Sequence, residues 1–323
     1  MAYIDIFNGD ADGICALTQL RNAKPLLSTL ITGVKRDITL VEKAEVAEGD
    51  RMTVLDVSFD KNREGVVEAL EAGAEIFYVD HHFAGDIPVS DRLTTIIDTD
   101  PNVCTSLLVN GHLRGKYVEW AVAGAFGDNL KASARTLAEP LGLSEERLTL
   151  LETLGIYINY NGYGSSLADL HFAPAELFEL VRPFPTPFAF VEQVPEAFEK
   201  LESGYRNDMA SAASVTPVRV SEKTAVFILP DEPWARRVSG VYSNDLANTS
   251  PWRAHAVLTE RPDGTYLVSV RAPLENKQGA DELCRQFPNG GGRAAAAGIN
   301  ALSGDQLNAF IDALETQYRF SAT

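Results

Sequence analysis

Three short apolar runs, Tyr3 to Phe7, Thr53 to Val57 and Glu75 to Val79, each give way to a stretch of acids, glycines or histidines. Runs this short, flanked by amphipathic segments, read as strands alternating with helices. The alternation predicts stacked βαβ units over the first 130 residues, an α/β fold with a mostly parallel sheet flanked by helices. The first helix is expected from about Asp12 to Asn22, stopped by Lys24-Pro25. A second is expected with Asp60 as N-cap, Val66, Val67 and Leu70 facing inward and Gly73 at its end. Ligands of open parallel sheets gather outside the carboxyl ends of the strands, where the polar stretches lie.

The chain has 323 residues, which at roughly 150 residues per domain suggests two domains. Periodic apolar residues from Lys116 to Tyr160 predict helices that cover the sheet and close the first domain, expected over residues 1–182. Prolines at 183, 185, 187 and 195 mark a boundary, and Glu196 to Ala213 reads as a connecting helix, so 183–215 is expected to link the domains. Residues 216–323 are expected to form a smaller α/β domain. Its strands are expected at Thr224 to Leu229, His255 to Thr259 and Tyr266 to Val270, and its helices around Ser239 to Ala247, Ala280 to Gln286 and Asp305 to Tyr318.

With 28 Lys and Arg against 45 Asp and Glu, the net charge is -17. Such a chain repels duplex DNA at long range, so no duplex DNA partner is expected. Cys15, Cys104 and Cys284 are odd in number and far apart, which suits neither a disulfide framework nor a Cys-rich zinc site and fits a reducing cytoplasm. No stretch approaches a membrane span, so no membrane partner is expected.

Asn8-Gly9-Asp10-Ala11-Asp12-Gly13 sets two carboxylates two residues apart where a strand gives way to a helix. The pattern suits a metal site, although turns and calcium loops also contain it. Asp56 ends a run too apolar for a solvated surface and needs a partner to offset desolvation. Asp80-His81-His82 ends a third strand, and adjacent imidazoles beside a carboxylate suit a site in which one ring binds metal and the other contacts substrate. Asp128 closes the apolar run AVAGAFGDN, where it also serves to terminate a helix. In the second half, Gly290-Gly291-Gly292-Arg293 leaves backbone N–H groups open beside a cation, a combination that cradles phosphate or carboxylate. Its bland counterpart is a flexible turn followed by a tightly packed small-residue helix.

The ordered segments DADG, LDVSFD, VDHH and AVAGAFGDN resemble the DHH phosphoesterase superfamily, and YLVSVRAPLENKQGADELCRQFPNGGGRAAAAGIN resembles the DHHA1 domain that follows DHH domains. The first motif looks more like the RecJ-type branch. Asn8 stands where that branch carries an acid, Ile6 where the pyrophosphatase and short-RNA nuclease branch carries a histidine, and Arg293 where DHHA1 loops usually have histidine.

The resemblance implies a DHH catalytic domain and a DHHA1 substrate-binding domain that act by two-metal activation of water, with two Mn2+ or Mg2+ ions per chain. Asp56 would bridge the ions, Asp10 would lie on one, and Asp12, His81 and Asp128 on the other. His82 would touch the transferring phosphate or protonate the leaving oxygen, and Asp80 would orient an imidazole. Arg271, Gly290, Gly291, Gly292 and Arg293 would hold substrate, with the two domains closing over it.

The expected function is a divalent-metal-dependent phosphodiesterase hydrolysing short nucleotides, oligoribonucleotides or cyclic dinucleotides, since the acidic charge offers no track for a long strand. A RecJ-type single-stranded DNA exonuclease and a non-catalytic nucleotide-binding module are the alternatives, and a homodimer is a state open to it. A dinucleotide-dependent dehydrogenase ranks low because no GxGxxG follows the first strand. Arg236-Arg237 reads as a solvated helix face, His112 and His255 as structural or surface residues, and Cys15 as packing in the first helix. His171 and the segment 159–164 are left without a role.

Overall fold

A computed structural model of the chain describes residues 1–319. It divides into two compact units, Met1–Gly204 and Tyr205–Thr323, with the division inside the helix Pro195–Ala213.

The first unit alternates as its hydrophobic pattern requires. Strand β1 (Tyr3–Phe7) leads into α1 (Ala11–Ala23) and the short β2 (Thr29–Ile31); β3 (Arg51–Leu55) leads into α2 (Phe59–Glu71) and β4 (Glu75–Asp80), and β5 (Leu93–Ile97) completes the sheet. All five strands are parallel, in the order β2-β1-β3-β4-β5. Seven helices follow: α3 (Thr105–His112), α4 (Val118–Gly127), α5 (Lys131–Ala138), α6 (Glu145–Asn161), α7 (Pro174–Val181), α8 (Pro187–Gln193) and α9 (Pro195–Ala213).

Strand side chains alternate between faces, and both faces are covered. Ile4, Ile6, Val54, Ile76 and Tyr78 pack with Phe59 and Val66 of α2. On the opposite face the Phe7 ring packs tilted against Phe178 of α7, centroids 5.5 Å apart, and Asp5 pairs with Arg21 of α1.

Two boundaries differ from the sequence expectation for local reasons. Strand β3 stops at Leu55 rather than Val57 because Asp56 adopts φ 59, a left-handed conformation that ends extended pairing. Asp60 is not the N-cap of α2; Ser58 holds that position, the wholly buried Phe59 opens the helix, and Asp60 lies in the first turn beside Arg63. A carboxylate there still complements the helix dipole.

The second unit has a six-stranded sheet in the order β10-β11-β9-β8-β7-β6, built from β6 (Arg219–Val220), β7 (Thr224–Leu229), β8 (Ala254–Glu260), β9 (Thr265–Arg271), β10 (Gly290–Arg293) and β11 (Ala296–Ser303). Among the described residues of this unit, only β7 and β8 pair in parallel. Helix α10 (Pro233–Thr249) crosses between them, with α11 (Ala280–Cys284) and α12 (Leu307–Tyr318) further on. The glycine run and the alanines after it, read from sequence as an anion-cradling loop with a flexible turn before a small-residue helix as the bland alternative, form the antiparallel hairpin β10-β11. Pairing of β11 with β9 supplies a sheet partner that a local pattern does not reveal. Among the described residues, no helix is long and apolar enough to cross a membrane.

Candidate metal centre

Strands β1, β3 and β4 end in one row: Phe7 pairs with Leu55 and Leu55 with Val79. Adjacent strands lie about 4.8 Å apart, so Asp56, Asp80 and the turn carrying Asp10 and Asp12 leave the sheet as neighbours. Strand order also reverses between β1 and β3, the crevice where open α/β sheets bind ligands.

Asp10 caps α1, its Oδ1 accepting the backbone N–H of Asp12 at 3.0 Å and of Gly13 at 3.2 Å. Asp12, in the first turn of α1, accepts the backbone N–H groups of Thr105 and Ser106 at the start of α3, each at 2.7 Å. These are donors that a helix start leaves without intrahelical partners, so Asp12 serves as a carboxylate cap supplied by another helix.

The side chains then converge on one imidazole. His81 Nε2 lies 3.4 Å from Asp56 Oδ1, 3.8 Å from Asp128 Oδ2 and 3.9 Å from Asp12 Oδ2. Asp12, His81 and Asp128 offer ligand atoms close enough to share one ion, as do Asp56, His81 and His82. Thr105 Oγ1 donates to Asp56 at 3.2 Å. Asp128 arrives here because α4 packs very closely: a Cβ added at Gly127 would meet Ala11 Cβ at 2.3 Å and the Gly155 carbonyl oxygen at 2.7 Å. Small residues in AVAGAFG therefore position the acid that follows them.

Electrostatics show carboxylates crowded beyond what one proton inventory accommodates. Burial first, then Asp12, Asp10, Asp128 and Asp80, holds the Asp56 carboxyl well above the usual range. Burial, followed by Asp12 and Asp10, pushes Asp128 up to about 7. Burial also opposes the charge of Asp10, but Lys35, 2.6 Å from its Oδ2, outweighs it and keeps that carboxyl below its ordinary value. Asp80 is wholly buried and accepts from His82 Nδ1 at 2.7 Å, which raises the imidazole pKa and leaves Nε2 as the outward nitrogen. Asp80 Oδ2 and Asn8 Oδ1 are buried without a hydrogen-bond partner. An all-oxygen and imidazole donor set of this kind, with the Asp56 and Asp128 carboxyls raised by burial and neighbouring acids, fits a hard divalent ion such as Mn2+ or Mg2+. Burial pushes the Cys15 and Cys104 thiols up, so neither is poised as a thiolate.

Sequence reasoning missed four contributors. Lys35 has no motif around it, yet its ammonium also donates to Asn159 Oδ1 at 2.9 Å and lies over the Tyr163 ring. Asn159 and Tyr163, in the segment left without a role, are thus tied to Asp10 through Lys35. Thr105 was likewise unmarked, since a helix start 93 residues from Asp12 carries no local sign of its partner.

Within the second unit, Arg271 Nε donates to Asn244 Oδ1 of α10 at 2.6 Å and its Nη1 to Ser269 Oγ at 3.0 Å. Arg271 pairs with Ala296, which pairs with Arg293, so the two arginines share one lateral row, separated by a single strand. A Cβ at Gly290 would meet the Cys284 carbonyl oxygen at 1.8 Å and one at Gly292 would meet Ala297 Cα at 2.5 Å, whereas nothing lies near Gly291. Packing explains two of the three glycines; only Gly291 leaves backbone open to approach. Arg236 pairs with Asp231, and Arg237 is buried against Asp208 at 2.6 Å rather than on the solvated face expected. His255 is buried in β8, and His112 is exposed against Phe77. His171 stacks on Tyr160.

No family model and no curated protein matches the sequence. Solved structures share its fold. The chain is similar to an exonuclease RecJ bound to manganese, with a TM-score of 0.65 at 17% identity over 99% of this chain and 91% of that one. For RecJ in complex with Mn2+ from Thermus thermophilus the TM-score is 0.63 at 19% identity, over 99% of this chain and 52% of that one. For a pGpG-specific phosphodiesterase from Vibrio cholerae it is 0.60 at 15% identity, over 100% of both chains. The chain therefore has the fold of DHH-domain proteins, a parallel five-stranded sheet flanked by helices and a second sheet.

Proposed function

We propose that the chain is a divalent-metal-dependent phosphoesterase of the DHH superfamily, a phosphodiesterase acting on short nucleotides such as oligoribonucleotides or cyclic dinucleotides. The observation that carries this reading is the convergence of Asp12, Asp56 and Asp128 on His81 Nε2 within 3.9 Å, at the strand-order reversal. A divalent ion held by these four residues would polarise a phosphoryl oxygen and make water nucleophilic near neutral pH.

The chain's own residues supply the rest. His82, protonated to higher pH by Asp80, donates a proton to the leaving oxygen, and Asp80 fixes the ring so that Nε2 faces substrate. Within the second unit, Arg271, the open backbone at Gly291 and Arg293 make up a group suited to binding an anion such as phosphate. A net charge of -17 favours short substrates over long strands, and the fold neighbour spanning the whole chain is described as pGpG-specific. Likeness to RecJ over nearly the full chain supports single-stranded DNA exonuclease action as a second reading.

A panel of short RNA, cyclic and linear dinucleotides, single-stranded DNA and nucleoside bisphosphates with Mn2+ tests this reading. The expected result is fastest turnover of a dinucleotide or short RNA, abolished in Asp56→Asn and His81→Ala. Fastest turnover of long single-stranded DNA establishes the exonuclease reading. Tight binding without turnover of any substrate establishes a binding module.

A further inference from the structure

Asp10 and Asp12 leave one turn yet face different positive charge. Asp12 lies around His81 together with Asp56 and Asp128, and among the described residues no lysine or arginine is bonded to it. Asp10 has Oδ1 turned to the N–H groups of its own helix and Oδ2 bonded to Lys35 at 2.6 Å.

The Lys35 ammonium is held in place from several sides. It donates to Asn159 Oδ1 at 2.9 Å, while Asn159 Nδ2 donates to the Tyr163 hydroxyl at 3.3 Å, and that ring lies 5.8 Å beneath the ammonium. Its backbone N–H donates to the Gly162 carbonyl at 2.8 Å, and its carbonyl accepts from Asn8 Nδ2 at 3.4 Å. Asn8 thus contributes an amide that braces the Lys35 backbone and brings no negative charge. A divalent ion on Asp10 would have to displace this ammonium or share Oδ2 with it, cation against cation in a buried site.

We propose that Lys35 replaces a second metal ion: the centre takes one divalent cation on Asp12, Asp56, His81 and Asp128, and the ammonium permanently neutralises Asp10. The inference rests on the metal-dependent reading above and departs from the two ions per chain that the sequence resemblance implies. It makes Lys35 a built-in cation on the Asp10 side of the crevice.

Mn2+ stoichiometry by equilibrium dialysis, read together with electron paramagnetic resonance of the full chain, tests it without reference to turnover. The native protein is expected to bind one Mn2+ with the hyperfine-split signal of an isolated ion. Asp12→Asn weakens that ion at least 100-fold, whereas Asp10→Asn changes its affinity less than about threefold. Lys35→Arg stays at one ion, and the Asn8→Asp, Lys35→Met double variant gains a second with an exchange-coupled signal. Two coupled ions in the native protein overturn the proposal, as does a double variant with native circular dichroism that still takes one. Absence of any Mn2+ binding to the native protein overturns the metal-dependent reading itself, a distinguishable failure.

Discussion

The Oδ1 atom of Asp80 lies 2.7 Å from Nδ1 of His82, so a wholly buried carboxylate directs an imidazole whose side chain is 46% exposed. Burial fixes one partner, and the hydrogen bond transmits that rigidity to a ring that faces solvent. The same bond raises the histidine pKa, coupling orientation to acid strength.

Asp80→Asn is therefore expected to lower kcat about 10- to 100-fold and to shift the basic limb of the pH–rate profile to lower pH. His82→Ala should cost a similar factor, and the double variant little more than either alone, because the two residues act as a unit. Steady-state kinetics across pH with the preferred dinucleotide checks this. An unshifted basic limb in Asp80→Asn would remove His82 from the role of acid.

Asp12 uses both oxygens on the start of α3. Asparagine presents one acceptor and one donor group, so Asp12→Asn leaves a buried N–H facing another donor, which costs about 1–3 kcal/mol. Urea unfolding of the metal-free protein should register that loss. Metal-free stability equal to the native protein's would show that α3 finds another cap.

Asp128 should behave in the opposite sense. An unfolded aspartate titrates near about 3.9, whereas the folded carboxyl is pushed up to about 7. Between these values the folded state holds more protons, so its contribution to metal-free stability is present at low pH and is lost as pH rises toward 7. Asp128→Asn should stabilise the metal-free protein by on the order of 2 kcal/mol at pH 8 and by little at pH 4. A divalent ion competes with the same protons, so Mn2+ should raise the native Tm more at pH 8 than at pH 6. Thermal melts of both proteins across that range provide the measurement, and a pH-independent Mn2+ shift would contradict it.

His255 in β8 tests the second unit separately. Burial, then Arg253, lowers its pKa from 6.5 to about 4. The unfolded chain takes up the proton first, so the contribution of the neutral ring is complete above about pH 6.5 and is lost as pH falls toward 4. His255→Phe should remove this dependence, making the difference from the native protein vary by on the order of 2 kcal/mol between pH 7 and 4. Amide hydrogen exchange of β7 and β8 follows it locally, and a constant difference across the window would show that the ring protonates in the fold.

Much of the candidate centre was legible because most of its acids and histidines follow short apolar strands, and strand ends are readable from period and composition. Asp10, Asp12, Asp56 and His81 sit in local patterns of that kind, whereas Asp128 closes the apolar helix α4. Lys35 lies in an irregular stretch with no periodicity, and Thr105 opens a helix whose partner is distant in sequence. Neither position announces its contacts. The hairpin of Gly290 to Ser303 failed differently: glycines and alanines carry weak strand preference, and pairing with β9 decided the conformation.

The sequence by itself determined that β1, β3 and β4 become strands, that their ends bear carboxylates and imidazoles, and that these ends belong to one parallel sheet, since side-chain period and β-branched composition act over a few residues. Only the tertiary structure decided which charge each carboxylate meets. Asp10 and Asp12 are two residues apart, yet one faces an ammonium and the other a helix start and a histidine. Electrostatic partnership in a buried crevice depends on distances of a few ångströms between segments far apart in the chain, and the packing of α1, α3, α4 and the Lys35 loop alone sets those distances.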